Sequence, residues 1–203
     1  MRTGLFLSLL LAVAGPLLAY DIKKIDVKPA AEYPARQDFQ NIVIGVYPCE
    51  TEQKASELFD TDKLHEEGYM PVLVVVENNN EFAIRLHERE IFFIRQDGIN
   101  VPSVPFHEVI LGISMKRKLS SVPTRPEILI QQVGNKDMVQ DFEQKAFGER
   151  LIPPHSSDYG VVFFPLSESN DLAGTLLYFP EVLNITDDEQ LMFFEVALGG
   201  RQE

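Results

Sequence analysis

The chain has 203 residues, 45% of them apolar and 24% charged, with a formal net charge of −13. Such acidity excludes a nucleic-acid binder, because phosphates would be repelled. The apolar content suffices for one globular domain with a substantial core, and Cys49, the only cysteine, excludes an intramolecular disulfide and any multi-cysteine zinc site.

Met1-Arg2 starts the chain with a positive charge, and residues 3–20 carry none and are rich in leucine. A basic start, a short apolar stretch and small residues at its end are the layout of a secretory signal. The expectation is an exported protein, periplasmic or extracellular, with a signal peptide over residues 1–19. Two cuts fit, after Ala14 or after Ala19. The second is preferred, since the first leaves an apolar remnant. Eighteen uncharged residues are near the lower limit for a membrane span. Gly15-Pro16 favours cleavage over an anchor, and no later stretch is long and apolar enough to span a bilayer.

Residues 20–38 read as an extended lead-in, and residues 39–200 as a single domain. Asn41 to Tyr47 alternates as a strand that Pro48 ends. Thr51 is a helix cap for a short helical insertion near 51–60, with Ala55, Leu58 and Phe59 on one side. Met70 to Glu77 contains Val72-Leu73-Val74-Val75-Val76, a continuous run that predicts a strand covered on both faces. Asn78-Asn79-Asn80 is its turn, and Phe82, Ile84 and Leu86 predict the return strand of a hairpin. Glu90 to Arg95 is a strand that ends at the Asp97-Gly98 turn.

Phe106, Val109, Ile110 and Ile113 have helical spacing, which predicts a helix near 105–115, followed by Lys116-Arg117-Lys118 at its C-terminus. Residues 119–126 read as a loop. A second helix is predicted near 137–147, capped by Asp137 with Gln140, with Met138, Phe142 and Ala146 on one face and Asp141–Lys145 as a favourable i,i+4 pair. Three more strands follow: Tyr159 to Pro165, Leu172 to Phe179 with a bulge at Gly174, and Gln190 to Leu198. The expected fold class is mainly β, an antiparallel sandwich of about seven strands with two or three short helical insertions.

Two stretches carry a resemblance. One is the run Pro71 to Glu77 closed by Asn78-Asn79-Asn80. The other runs from Leu151-Ile152-Pro153-Pro154-His155-Ser156-Ser157 to Val161-Val162-Phe163-Phe164-Pro165. Together they resemble the immunoglobulin-like, telokin-like β-sandwich domains of uncharacterised exported bacterial proteins. His155 stands where those domains often carry glycine, and the region between the motifs is longer and more helical. The resemblance implies a fold and a compartment, and it brings no catalytic residues.

The chemistry-bearing residues assemble no reaction. Cys49 reads as a free thiol, half of an intermolecular bridge, or a nucleophile. The favoured reading is a small buried hydrophobe, because no nucleophile signature surrounds it. His65-Glu66-Glu67 and His87-Glu88-Arg89-Glu90 place imidazoles beside acids without metal-binding helical spacing. Asp60-Thr61-Asp62 and Asp187-Asp188-Glu189 read as turns, with weak calcium binding as the alternative. There is no Gly-x-Ser-x-Gly, Ser-x-x-Lys or phosphate loop. Asn184-Ile185-Thr186 matches a glycosylation acceptor.

Three aromatic doublets remain: Phe92-Phe93, Phe163-Phe164 and Phe193-Phe194, each within a predicted strand. Neighbouring strand side chains point to opposite faces, so one of each pair faces the core and the other faces out. Left uncovered, the outer set makes a binding surface; covered by the two longer helices, it joins the core. These six are the candidate interface residues. The expected function is a non-enzymatic binding or structural module of the cell envelope, with another envelope or secreted protein as partner and no cofactor. The alternatives are a calcium- or small-ligand-binding protein and a hydrolase whose residues converge only in three dimensions.

Overall fold

The computed structural model of the protein describes residues 20–114, 135–166, 172–191 and 193–199. The chain is mainly β. In order, its described elements are β1 (Ala35–Phe39), β2 (Ile42–Pro48), α1 (Glu52–Leu58), β3 (Tyr69–Asn78), β4 (Ile84–His87), β5 (Phe92–Ile94), β6 (Asn100–Pro102), α2 (Phe106–Ser114), α3 (Lys136–Lys145), β7 (Glu149–Ile152), β8 (Ser156–Pro165), β9 (Leu176–Phe179), β10 (Leu183–Asn184), β11 (Glu189–Gln190) and β12 (Phe194–Ala197). Short 3-10 turns occupy Ala30–Glu32 and Glu88–Glu90.

The strands form three antiparallel sheets. Sheet A has the order β1-β2-β3-β8, sheet B β11-β10-β4-β7, and sheet C β12-β9-β5-β6. Sheet A is built on the long pairing of β3 with β8, from Tyr69↔Pro165 to Asn78↔Ser156. The unbroken apolar run of β3 has the expected cause. Val72, Val74 and Val76 point into a core shared with sheets B and C, whereas Leu73 and Val75 point into a second core on the other side. A fully buried valine contributes about 1.5–3 kcal/mol, so neither face tolerates a polar residue cheaply.

The first core lies between sheet A and the facing sheets B and C. Phe164 of β8 stacks on Phe93 of β5 there, with ring centroids 3.7 Å apart. The second core lies between the outer face of sheet A and the helices. Ala55 and Leu58 of α1, Val109, Ile110 and Ile113 of α2, and Phe142 of α3 all belong to it. So do Ile25, Ala30 and Tyr33, which lay the N-terminal segment over the same face. Gly45 permits that close approach, since a Cβ there would collide with the Ala30 carbonyl.

Several expectations are corrected. The described residues form twelve strands rather than about seven, because sheets B and C use strands of two to four residues. Alternation over so few positions leaves no periodic signal. The segment after Asn80 is not the return strand of a hairpin: β4 pairs with β10 and β7, while β3 pairs with β2 and β8. The stretch Gln190 to Leu198 divides between β11 in sheet B and β12 in sheet C. Gly174 sits at φ +70° in a turn closed by Thr175 N–H on Leu172 O, not in a bulge. The cap of α3 is Asn135, whose side chain accepts from Asp137 N–H. Thr51 caps α1 by accepting from Lys54 N–H. Residues 1–19, the Lys116-Arg117-Lys118 run with the 119–126 loop, and Met192 lie outside the described residues. No helix of the described residues is long and apolar enough to cross a membrane.

Candidate docking surface

The aromatic doublets divide in two ways. Phe163 and Phe164 are both buried, on opposite faces of β8. Phe164 enters the first core, and Phe163 enters the second, where it stacks at 5.6 Å on Phe142 of α3. Helical cover therefore removes Phe163 from any surface. Phe93 and Phe194 are buried in the first core. Their partners differ: Phe92 is half-buried and Phe193 is 46% exposed.

Strand register explains where these two lie. Phe92, Tyr178 and Glu195 are direct neighbours across β5, β9 and β12, as are Ile94, Leu176 and Ala197. The intervening row, Phe93, Leu177 and Val196, is buried in the core. The period of two then puts both flanking rows on the outer face of sheet C. Phe193 extends that face, with its ring 5.7 Å from Tyr178. The buried apolar residues of all three helices belong to the core on sheet A. Among the described residues, the outer face of sheet C has no helical cover.

Its charge is lopsided. Glu195 stands in the row of Phe92 and Tyr178. At the Phe193 end, burial and the hydrogen-bonded Glu181 carboxyl beside it hold the Glu90 carboxyl above the usual glutamate range. At the β5–β6 turn, Arg95 is paired with Asp97 at 3.2 Å. The face is therefore apolar in the middle and acidic at one end. Sequence reasoning missed Ile94, Leu176 and Tyr178. The signal was present in Leu176-Leu177-Tyr178-Phe179, a strand apolar at every position, but such a run does not say which side stays open.

A concavity of about 560 Å³ lies where the N-terminal segment crosses sheet A. Lys24, Lys28, Tyr33, Tyr47 and Glu57 are among its lining. The Tyr47 hydroxyl donates to Glu57 Oε2 at 3.2 Å, and burial with the nearby Glu57 charge pushes it up to about 12.

Cys49, His65, Asp60 and Asn184 are engaged in structure. Cys49 is fully buried, and burial pushes its thiol up to about 12, which makes it a poor nucleophile. The His65 ring nitrogen Nε2 is 2.8 Å from the Cys49 carbonyl oxygen, to which it donates, and Nδ1 is 3.8 Å from Glu52. Asp60 accepts from Asp21 N–H and faces Lys23 at 3.7 Å. Asn184 is buried, its amide donating to Asp187 and accepting from Thr186 N–H, so the folded protein withholds this acceptor from glycosylation.

No family model matches the chain, and no curated protein matches it. Among solved structures it is similar to the yjhA protein from Bacillus subtilis, at 9% identity and a TM-score of 0.41, over 85% of this chain and 98% of that one. It is also similar to Northeast Structural Genomics Consortium target SoR45, at 12% identity and a TM-score of 0.34, over 81% of this chain and 92% of that one.

Proposed function

We propose that this is an exported, non-enzymatic β-sandwich module of the immunoglobulin-like, telokin-like type. It docks the outer face of sheet C onto another envelope or secreted protein. The observation that carries the reading is the half-open aromatic patch of Phe92, Tyr178 and Phe193 on a sheet face that no helix of the described residues covers. Apolar area of this kind on a folded monomer marks an interaction site, and aromatic side chains are the usual anchors of such sites. The acids Glu90, Glu181 and Glu195 select a partner presenting aliphatic or aromatic side chains beside Lys or Arg. The engagement of Cys49, His65 and Asp60 in structural contacts favours recognition over catalysis.

The test compares wild type with a Tyr178→Ser, Phe193→Ser double variant in pull-downs from native envelope extract. A partner that is retained by wild type and lost by the folded variant supports the reading. Identical partner sets for the two proteins overturn it. A second reading, a small-ligand protein, is favoured by the groove lined by Lys24, Lys28 and Glu57. A ligand bound there raises the melting temperature of both proteins equally.

A further inference from the structure

We propose that the groove between the N-terminal segment and α1 binds a short zwitterionic peptide, of dipeptide size and with apolar side chains. The inference rests on the small-ligand reading of that groove. It stands apart from the docking face, which lies on the opposite side of the sandwich.

Three parts of the chain build the groove. Residues 24–34 supply one wall, Glu57 and Leu58 of α1 supply the other, and Tyr47 of β2 and Leu73 of β3 form the floor. Tyr47 and Leu73 are direct cross-strand neighbours on the face of sheet A that carries the second core. Ile25 and Leu58 belong to the same core, so the bottom of the groove is apolar. Its volume of about 560 Å³ falls within the range of about 300–1,000 Å³ that holds small ligands.

The polar groups on its walls set the chemistry of the ligand. Tyr33 is 6% exposed, and its hydroxyl accepts from Lys28 N–H at 3.2 Å. No acceptor among the described residues takes the proton of that hydroxyl. Burial, with the charges of Asp26 and Glu32, holds the hydroxyl above the usual tyrosine range, so it keeps its proton and remains a donor. A buried donor without an acceptor is costly, and a ligand carbonyl supplies one. Lys24 and Lys28 line the same wall, and neither Nζ has an ion-pair partner among the described residues. On the α1 wall, Glu57 Oε2 accepts from the Tyr47 hydroxyl at 3.2 Å, while Oε1 has no partner among the described residues.

A single-charge ligand suits these walls poorly. An anion drawn to the lysines meets Asp26 and Glu32, and a cation drawn to Glu57 meets the lysines. A molecule carrying one charge of each sign avoids both conflicts. A free dipeptide has an ammonium and a carboxylate at neutral pH. Its ammonium faces Glu57, its carboxylate faces Lys24 and Lys28, and its peptide carbonyl takes the Tyr33 proton. Its side chains lie on Leu58 and Leu73.

The test titrates the purified protein with leucyl-phenylalanine, its N-acetyl form and its C-terminal amide. The free dipeptide is expected to bind, and each capped form to bind about tenfold more weakly. The penalty for acetylation is expected to vanish in Glu57→Gln, which keeps an acceptor for the Tyr47 hydroxyl. Tyr33→Phe is expected to weaken all three forms alike. Capped forms that bind as well as the free dipeptide overturn the zwitterionic ligand and leave the groove a site for apolar molecules. An acetylation penalty unchanged in Glu57→Gln overturns the placement of the ammonium. Binding of none of the three overturns this inference and the small-ligand reading together.

Discussion

Asn78 Nδ2 donates to the Ile152 carbonyl at 3.2 Å, tying the last residue of β3 to the last residue of β7 across 74 positions of chain. The same amide reaches Phe82 O at 2.8 Å and Pro153 O at 3.1 Å, while its Oδ1 accepts from Asn80 N–H. Asn78 is fully buried. One side chain thus satisfies the carbonyls freed where the chain leaves sheet A for sheet B.

Replacing Asn78 by Ala leaves those carbonyls unpaired in the interior, at a cost of about 1–3 kcal/mol. Asn78→Asp costs more, since it removes the donor and aims a carboxylate at three carbonyl oxygens. Urea unfolding measures both. An Asp variant as stable as the Ala variant would show that the donor role is misassigned.

Lys145 and Asp141 read in sequence as a favourable i,i+4 pair, and the structure buries both, with Nζ 2.7 Å from Oδ1 and donating to Leu58 O at 2.7 Å. Lys145→Met strands a buried carboxylate and is expected to destabilise by about 3–5 kcal/mol. Adding Asp141→Leu and Tyr20→Phe removes the stranded charge and its donor, and recovers most of the loss. Denaturant midpoints for the single and triple variants check this; a triple variant no better than Lys145→Met alone contradicts it.

The Cys49 thiol gives a pH signature. Its native pKa is raised from 9.0 to about 12, chiefly by burial, so above pH 9 the unfolded chain gives up a proton that the native state keeps. The raised pKa contributes stability that is full below pH 9.0 and is lost as the pH rises toward about 12. The stability of wild type relative to Cys49→Val therefore falls by about 1.4 kcal/mol per pH unit across that window. Ionisation of tyrosines that do not interact with Cys49 is common to both proteins and cancels in the difference, and a Tyr47→Phe background removes the one that does. A difference that stays flat with pH would mean the thiol is accessible in the native state, and rapid modification by a thiol reagent would accompany it.

Gly45→Ala drives a methyl group into the Ala30 carbonyl and the Tyr33 ring. Overpacking of this kind costs about 1–3 kcal/mol, and here it lifts the N-terminal segment from sheet A. Limited proteolysis should then cut residues 20–34 faster than in wild type, before the rest of the domain is attacked. Unchanged cleavage there would indicate that the segment shifts without detaching.

Local physics made part of this fold legible in advance. The Val72–Val76 run declares a doubly covered strand, because no other arrangement hides five consecutive apolar residues in a sheet. Phe106, Val109, Ile110 and Ile113 declare α2 by spacing, and Thr51 declares the start of α1 by its capping chemistry. Tertiary packing decided everything that depends on which surfaces meet. Phe163 and Phe193 are equivalent as members of strand doublets, but α3 lies over one and no helix of the described residues lies over the other. Asp141 and Lys145 are an ordinary i,i+4 pair until the chain near Tyr20 closes over them. Periodicity is a property of neighbours in sequence, whereas cover and charge burial come from other segments, 121 positions away for Tyr20 and Asp141, and only the assembled chain brings those together.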